Sequence, residues 1–286
     1  MLPGVPARRW LIVAVACLAV LVLVYVLAVW TVSGQELENA ALRGADQAAA
    51  RDQDVADQSL SRITVYSLGV AVVLVALVGL LRRRPDLAVA AVGVIVAGQV
   101  VTQVLKRWVL PRPSLVPLTG HYAGNSFPSG HTTIAMTVLF AALLVVPYRW
   151  RGVTMFFVLF WAVGIGAYTV TAKWHRLSDT VAADAIALGL ACLASWWLAR
   201  RGVVRRYEGP RKIPRVLVVT FAALTGLVFL ALGGFLIVAT LSQEGLDATL
   251  SDNTWVVYLA ASSLASAFSV AAALVFLGTW RRLEIA

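Results

Sequence analysis

The stretch NSFPSGHTT, residues 125–133, joins a polar loop to a long apolar helix. Residues 134–146, which follow, carry no charged side chain. Ser129 and Gly130 stand where this helix is expected to begin, and the first amides of a helix lack carbonyl partners and favour an anion. His131 adds a side chain that exchanges protons near neutral pH. The stretch therefore predicts an anion-facing entrance to a membrane-type helix.

Apolar segments of similar length recur along the whole chain. Of the 286 residues 60% are hydrophobic and 13% charged, about half the charge density of a soluble domain. Runs that can cross about 30 Å of hydrocarbon predict an all-α, polytopic membrane helix bundle. The first run is too long for a signal peptide. We expect about eight spanning helices, near 10–32, 63–81, 87–105, 130–147, 153–172, 179–199, 215–241 and 255–280.

The charges alternate between the loops on the two sides of this bundle. Sixteen of the 24 Lys and Arg residues share one side, which the positive-inside rule assigns to the cytoplasm together with both termini. Acidic residues mark the opposite loops, above all residues 33–61, a segment expected to be helical and to cap the site. We therefore expect a plasma-membrane protein with its polar motifs on the extracytoplasmic face.

Several other classes of partner and site are disfavoured by the composition. The net charge of +10 lies in short loops without interleaved aromatic residues, so no nucleic-acid partner is expected. Cys17 and Cys192 both fall in apolar helices and offer no disulfide, redox or metal pattern. The tryptophans, including Trp108, Trp150, Trp255 and Trp280, are interpreted as an interfacial belt.

Three polar clusters fall on the extracytoplasmic side: KRWVLPRPS at 106–114, PSGH at 128–131 and KWHRLSD at 173–179. Arg112 offers a planar fork for phosphate oxygens, and Lys106 offers a compact charge. His175 and Asp179 can face each other across one helical turn or a helix cap. When a carboxylate accepts the N–H of one ring nitrogen, the other ring nitrogen stays basic. Two histidines beside an anion cradle are enough for phosphoryl transfer through a histidine.

In this order and spacing, the clusters resemble the phosphatidic acid phosphatase type 2 superfamily of membrane lipid phosphatases, relatives of the vanadium haloperoxidases. The resemblance covers roughly residues 60–200. It implies a six-helix phosphatase core plus two C-terminal transmembrane helices. We accordingly expect a single transmembrane domain, 1–286, with the phosphatase core at 60–200 and a C-terminal helical pair at 201–286. That pair is expected to serve packing, a lateral wall or a dimer surface, so a homo-oligomer is possible.

The resemblance also implies a role for each motif residue. His175 would attack the phosphorus, Asp179 would orient His175, and His131 would protonate the leaving lipid oxygen. The phosphate oxygens would be held by Lys106, Arg112, Ser129 and the Gly130 amide. No metal or other cofactor would be required. Supporting positions behind these residues are expected at Pro128, Asp184, Gln99 and Gln103.

Two departures from the family pattern affect these expectations. Five residues separate Lys106 from Arg112 where the family usually has six, and a shift of one residue rotates a helical side chain by about 100°. Pro111 predicts that this segment is irregular, which would let Lys106 still reach the site.

The second departure is the loss of a phosphate-binding arginine. The third motif normally begins Ser-Arg, and Tyr168 and Thr169 occupy those positions. Lys173 lies one helical turn from Thr169, and we hypothesise that it supplies the lost charge. The neighbouring basic residues, Arg107 and Arg176, are expected to face lipid headgroups. His121 matches no motif and is interpreted as loop filler or a gate.

The sequence thus favours a lipid phosphatase acting on a phosphomonoester or diphosphate with a long apolar tail. The substrates that the resemblance suggests are polyprenyl diphosphate, phosphatidic acid and phosphatidylglycerol phosphate. Two alternatives stay open. One is a lipid-phosphate binding or transport protein with impaired catalysis, and the other is a lipid phosphotransferase.

Overall fold

The computed structural model describes residues 7–117, 124–210 and 213–285. His121 and the basic pair 211–212 lie outside these ranges. Within them the chain forms ten α-helices: α1 (Arg8–Val29), α2 (Val32–Ala45), α3 (Ala50–Ser61), α4 (Val65–Leu81), α5 (Pro85–Val104), α6 (Gly130–Val145), α7 (Arg151–Thr171), α8 (Leu177–Arg200), α9 (Ile213–Ser251) and α10 (Thr254–Thr279). Two short antiparallel strands, β1 (Val204–Arg206) and β2 (Leu283–Ile285), pair with each other.

Eight of these helices coincide with the eight apolar segments predicted from the sequence. By length and composition, six of them are able to cross a membrane on their own. A seventh, α4, meets the same test together with α3, to which it is joined by a bend of 60°. The apolar α6 is shorter, at 16 residues. The prediction of an all-α polytopic bundle is therefore confirmed.

The helix boundaries follow from local capping chemistry. Thr64 and Ser67 exchange hydrogen bonds in a capping box that starts α4. Pro85 occupies the first turn of α5, where its missing amide costs nothing. Gly245, at φ 75°, interrupts the long α9 near its end. Among the helices so delimited, α6 packs against α5, α7 and α8.

The acidic segment after α1 is helical, as predicted, and α2 lies directly against the bundle. A Cβ atom added at Gly44 would lie 1.9 Å from the carbonyl oxygen of Thr254, so α2 and the start of α10 are in backbone contact. The Arg43 guanidinium donates to the Leu250 carbonyl at 2.9 Å. These contacts anchor α2 to the bundle.

The opposite end of the bundle holds a buried arginine and corrects one sequence expectation. Trp280 is not part of an interfacial belt, because it is 1% exposed and packs on Trp10 with ring centroids 5.5 Å apart. Its indole N–H donates to the Ser195 hydroxyl at 3.0 Å. The Arg151 guanidinium lies 4.6 Å from the Trp280 ring and donates to the Leu283 carbonyl at 2.8 Å. We call this end, which carries the arginines beside α7 and α8, the arginine-rich end.

The last helix is joined to α8 by a polar contact inside the apolar core. The Ser269 hydroxyl on α10 lies 2.9 and 3.1 Å from the two carboxyl oxygens of Asp184 on α8, and both residues are buried. A polar group buried among apolar helices costs free energy unless it is hydrogen-bonded. Asp184 therefore makes α10 part of the folding unit.

We expect Ser269→Ala to lower the free energy of unfolding by about 1–2 kcal/mol, because Asp184 loses its hydrogen-bond donor. Thermal unfolding in detergent measures the change. Ser266→Ala is the matched control, since the Ser266 hydroxyl donates to the Ser262 carbonyl of its own helix, at 3.0 Å. Equal stability of the two variants would contradict this role of Asp184.

Candidate active site

The three sequence motifs meet at the end of the bundle where α5 and α7 finish and α6 and α8 begin. We call it the motif end. A cavity of about 360 Å³ opens there between the first and third clusters, the loop that precedes PSGH, and α2. Its lining consists of Leu42, Lys106, Gly124, Asn125, Ser126, Lys173, Trp174, His175 and Arg176.

Asp179 holds His175 at the start of α8. The Nδ1 atom of His175 lies 3.3 Å from Oδ2 of Asp179, and that oxygen also accepts the Arg176 amide at 2.9 Å. Asp179 is fully buried in the first turn of α8, where the helix dipole favours its negative charge. With Nδ1–H donated to the carboxylate, the lone pair of Nε2 is left for chemistry.

His131 lies in the first turn of α6, close to His175. The centroids of the two imidazole rings are 6.1 Å apart. The His131 and Trp174 rings pack edge to face, with centroids 5.1 Å apart. The Ser129 amide donates to the backbone carbonyl of Asp179 at 2.9 Å, which joins the starts of α6 and α8. The two imidazoles thus approach closely enough to contact one phosphoryl group between them.

Ser129 and Gly130 form the start of α6, as the motif indicates. Ser129 is buried, and its Oγ accepts the Thr132 amide at 3.3 Å, so its hydroxyl hydrogen remains to be donated. A Cβ atom added at Gly130 would meet only the Gln103 amide nitrogen, at 3.7 Å. Packing between protein atoms therefore does not require glycine here, and the open space is available to a ligand beside the helix amides.

Lys106 reaches the cavity from an irregular end of α5. Residues Leu105–Val109 form a single π-helical turn, the irregularity that Pro111 predicted. The Asn125 side chain amide donates to the carbonyls of Lys106 and Leu110, at 3.0 and 2.7 Å, and ties this turn to the loop before α6. Lys106 therefore lines the cavity although the first motif is one residue shorter than usual.

Two further cations of the motifs are paired with carboxylates of the α2 segment. Both terminal nitrogens of Arg112 lie 3.4 Å from Oε2 of Glu38, and the arginine side chain is 5% exposed. The ammonium of Lys173 donates to Asp46. Neither carboxylate was identified from the sequence, where they appear only as members of an acidic loop far from the motifs.

The expectation that Arg176 faces lipid headgroups is wrong. Arg176 is 3% exposed, lines the cavity, and donates from Nη1 to the Ser126 hydroxyl at 2.8 Å. Burial lowers the pKa of Arg176, whereas Asp179 and Glu38 raise it. The residue turns inward because it precedes α8 and its amide is bonded to Asp179. Arg107 is exposed, as expected.

The four supporting positions take different places. Asp184 bonds Ser269 on α10 and does not line the cavity. Pro128 is buried immediately before Ser129. The Gln103 amide faces Gly130, and the Gln99 amide nitrogen is buried without a partner among the described residues. Among the residues that the structure describes, no group of three or more His, Cys, Asp or Glu side chains is placed to hold a metal ion.

Comparison with known proteins agrees with the motifs. Neither the curated proteins nor the solved structures contain a match to this chain. Residues 87–203, which run from α5 to the end of α8, match the model of the PAP2 superfamily. The resemblance that the three motifs indicate is therefore confirmed for this segment of the chain.

Proposed function

We propose that this protein is an integral membrane lipid phosphatase that works through a phosphohistidine. Membership of the PAP2 superfamily supports a phosphatase-type activity. The observation that carries the finer proposal is the approach of His131 to His175, 6.1 Å between ring centroids, with Asp179 bonded to the far side of His175. A basic nitrogen at the cavity and a second proton-transfer group thus lie close together.

The proposed reaction has two steps. In the first, Nε2 of His175 attacks the phosphorus, the bond from phosphorus to the leaving lipid oxygen breaks, and His131 gives that oxygen a proton. In the second, water attacks the phosphohistidine, His131 takes a proton from the water, and His175 leaves with the electron pair of the P–N bond. Asp179 stabilises the positive charge on His175 in both steps, and no metal ion enters either step.

The phosphate oxygens are assigned to donors that line the cavity or lie beside it. Charge that develops on these oxygens is stabilised by preorganised cations and amides. We assign this role to Lys106, Arg112, Ser129, the Gly130 amide, Lys173 and Arg176. Arg176 is the stronger candidate for the charge that the family places at Thr169, because its guanidinium is buried at the cavity while Lys173 is shared with Asp46.

The proposed location is the extracytoplasmic face of the plasma membrane. The loops at the arginine-rich end carry most of the basic residues, which supports a cytoplasmic position for that end and for both termini. The cavity lies at helix ends, at headgroup level for a lipid whose tail stays in the bilayer. Polyprenyl diphosphate, phosphatidic acid and phosphatidylglycerol phosphate are the proposed substrates.

One observation also favours a second candidate, a binding or transport protein with impaired catalysis. The pairing of Arg112 with Glu38 and of Lys173 with Asp46 lowers the positive charge available to a phosphate. A lipid phosphotransferase would differ only in the acceptor, an alcohol in place of water. Product analysis separates these possibilities.

We expect purified protein to release phosphate from at least one of these lipid phosphates in detergent with chelator present. His175→Ala should reduce the rate on the order of a thousandfold or more, because the nucleophile is lost. Thermal unfolding of the variant checks its fold. Absence of release from every substrate would favour the binding protein, an alcohol-linked product would favour the transferase, and loss of activity with chelator would contradict the metal-free mechanism.

We expect the effect of His131→Ala to depend on the leaving group. A general acid contributes about 10²–10⁴-fold when it protonates a basic leaving oxygen, so hydrolysis of an alkyl phosphate should fall by about that factor. Nitrophenolate leaves from a nitrophenyl phosphate without protonation, so hydrolysis of that ester should be affected far less. The ratio of the two kcat/KM values is the measurement, and an equal loss on both esters would rule out His131 as the acid.

We expect Arg176→Gln to lower kcat/KM on the order of 10–100-fold, the worth of one charged hydrogen bond to phosphate. Arg107→Gln is the control, since it removes the same charge from an exposed position on the neighbouring motif. Steady-state phosphate release measures both variants. Similar activities of the two would return the role of the missing arginine to Lys173.

A further inference from the structure

Glu38 brings a carboxylate into the proposed phosphate site from outside the segment that matches the superfamily. It lies on α2 and is 8% exposed. Its Oε1 accepts the Ser178 amide in the first turn of α8 at 3.0 Å, and its Oε2 faces both terminal nitrogens of Arg112 at 3.4 Å. One side chain therefore contacts both the helix that carries Asp179 and a phosphate-binding arginine.

The position of Glu38 is built into the fold. The Gln35 side chain, one turn earlier on α2, donates to the Val29 carbonyl at 2.7 Å and to the Pro113 carbonyl at 2.8 Å. The second bond ties α2 to the residue after Arg112. Together with the contact of Gly44 with α10, it holds α2 at both ends, so that Glu38 stays beside the cavity.

With Glu38 ionised, the net positive charge of the site is one unit too small to balance a phosphate dianion. Four cations and three carboxylates face this region when Glu38 is ionised, a balance of +1, and protonation of Glu38 makes it +2. The cations are Lys106, Arg112, Lys173 and Arg176, and the carboxylates are Glu38, Asp46 and Asp179. Among the described residues, the two imidazoles of His131 and His175 are the other titratable groups of this site.

Two properties of Glu38 suit it to change its charge. The contacts with Arg112 are long, because charge-assisted N–H···O bonds usually measure about 2.7–2.9 Å, and a loosely held guanidinium can turn toward another acceptor. Burial raises the pKa of Glu38 to about 7, and the charge of Asp179 adds to this effect. An exposed glutamate titrates near 4.3. The carboxyl group therefore exchanges its proton near neutral pH.

We propose that Glu38 is a positioning residue that takes up one proton from the solvent when a phosphate group enters the cavity, and so releases Arg112 to the phosphate oxygens. This inference rests on the proposed function, whose substrate site it completes. The proton binds Oε2, while Oε1 keeps the Ser178 amide. The new O–H donates to the bound anion, and the proton returns to solvent when the product leaves.

The sign of the pH dependence follows from this exchange. Glu38 carries its proton below pH 7 and loses it above, so the anion-competent form of the site declines as pH rises. A group titrating at about 7 makes the apparent Kd of a dianion about tenfold larger at pH 8 than at pH 6. The same carboxyl destabilises the empty fold progressively between about pH 4.5 and 7, where the unfolded chain has already lost the proton.

Sulfate binding to the full-length protein in detergent tests the proposal. Sulfate is a tetrahedral dianion that does not itself titrate in this range. Calorimetry at pH 6, 7 and 8, in two buffers of different ionisation enthalpy, gives both Kd and the number of protons taken up. We expect the wild type to bind about tenfold more weakly at pH 8 than at pH 6. At pH 8 it should take up about one proton per sulfate more than Glu38→Gln does.

Three variants make the result specific to Glu38. Glu38→Gln imitates the protonated carboxyl, so it should bind sulfate more tightly than the wild type at pH 8, with a much flatter dependence on pH. Glu38→Asp keeps an ionisable carboxyl and should restore the pH dependence. Glu36→Gln removes the same charge from a partly exposed position on α2 and should behave like the wild type.

The proposal is overturned if Glu38→Gln and the wild type show the same pH dependence, or if Glu38→Gln binds no sulfate at pH 6 while its thermal unfolding is normal. It is also overturned if the wild type binds no sulfate at pH 6. Hydrolysis is assayed separately. Proton-linked sulfate binding without any phosphate release would support this inference and refute the proposed function, whereas phosphate release with unlinked sulfate binding would refute this inference alone.

Discussion

Asp179 is the residue on which the arrangement of the site depends. Its side chain accepts hydrogen bonds from His175 and from the Arg176 amide, and its backbone carbonyl accepts the Ser129 amide. One fully buried residue thus orients the proposed nucleophile, shapes the start of α8 and fixes the start of α6 relative to it. Because His131 lies two residues after Ser129, the distance between the two imidazoles is largely set by these contacts.

Most of the fold could be predicted from the sequence because apolar length is a strong signal. The eight long apolar segments became helices near the expected bounds, and the motif residues fell at helix ends because Ser129 and Asp179 are capping residues with few alternatives. Pro111 predicted an irregular segment at the position where the π-helical turn at Lys106 is found. Local chemistry was sufficient at each of these positions.

The parts of the site that could not be predicted are set by contacts between distant segments. Glu38 and Asp46 have the sequence context of solvated charges in an acidic loop. The packing of α2 on α10 and the bond from Gln35 to Pro113 bring them to Arg112 and Lys173. Arg176 was interpreted as facing headgroups because nothing in its immediate neighbours shows that the cap of α8 turns its side chain inward. Trp280 was misjudged for the same reason, since its partners Trp10 and Arg151 come from other helices.

The hydrogen bond between Asp184 and Ser269 has a consequence for how the protein is made. A ribosome delivers α8 to the bilayer well before α10, so Asp184 enters hydrocarbon at a time when its eventual donor has not yet been synthesised. Helix α8, whose first turn holds Asp179, therefore reaches its final environment only after α10 has been inserted. Maturation of the motif end is in this way coupled to insertion of α10.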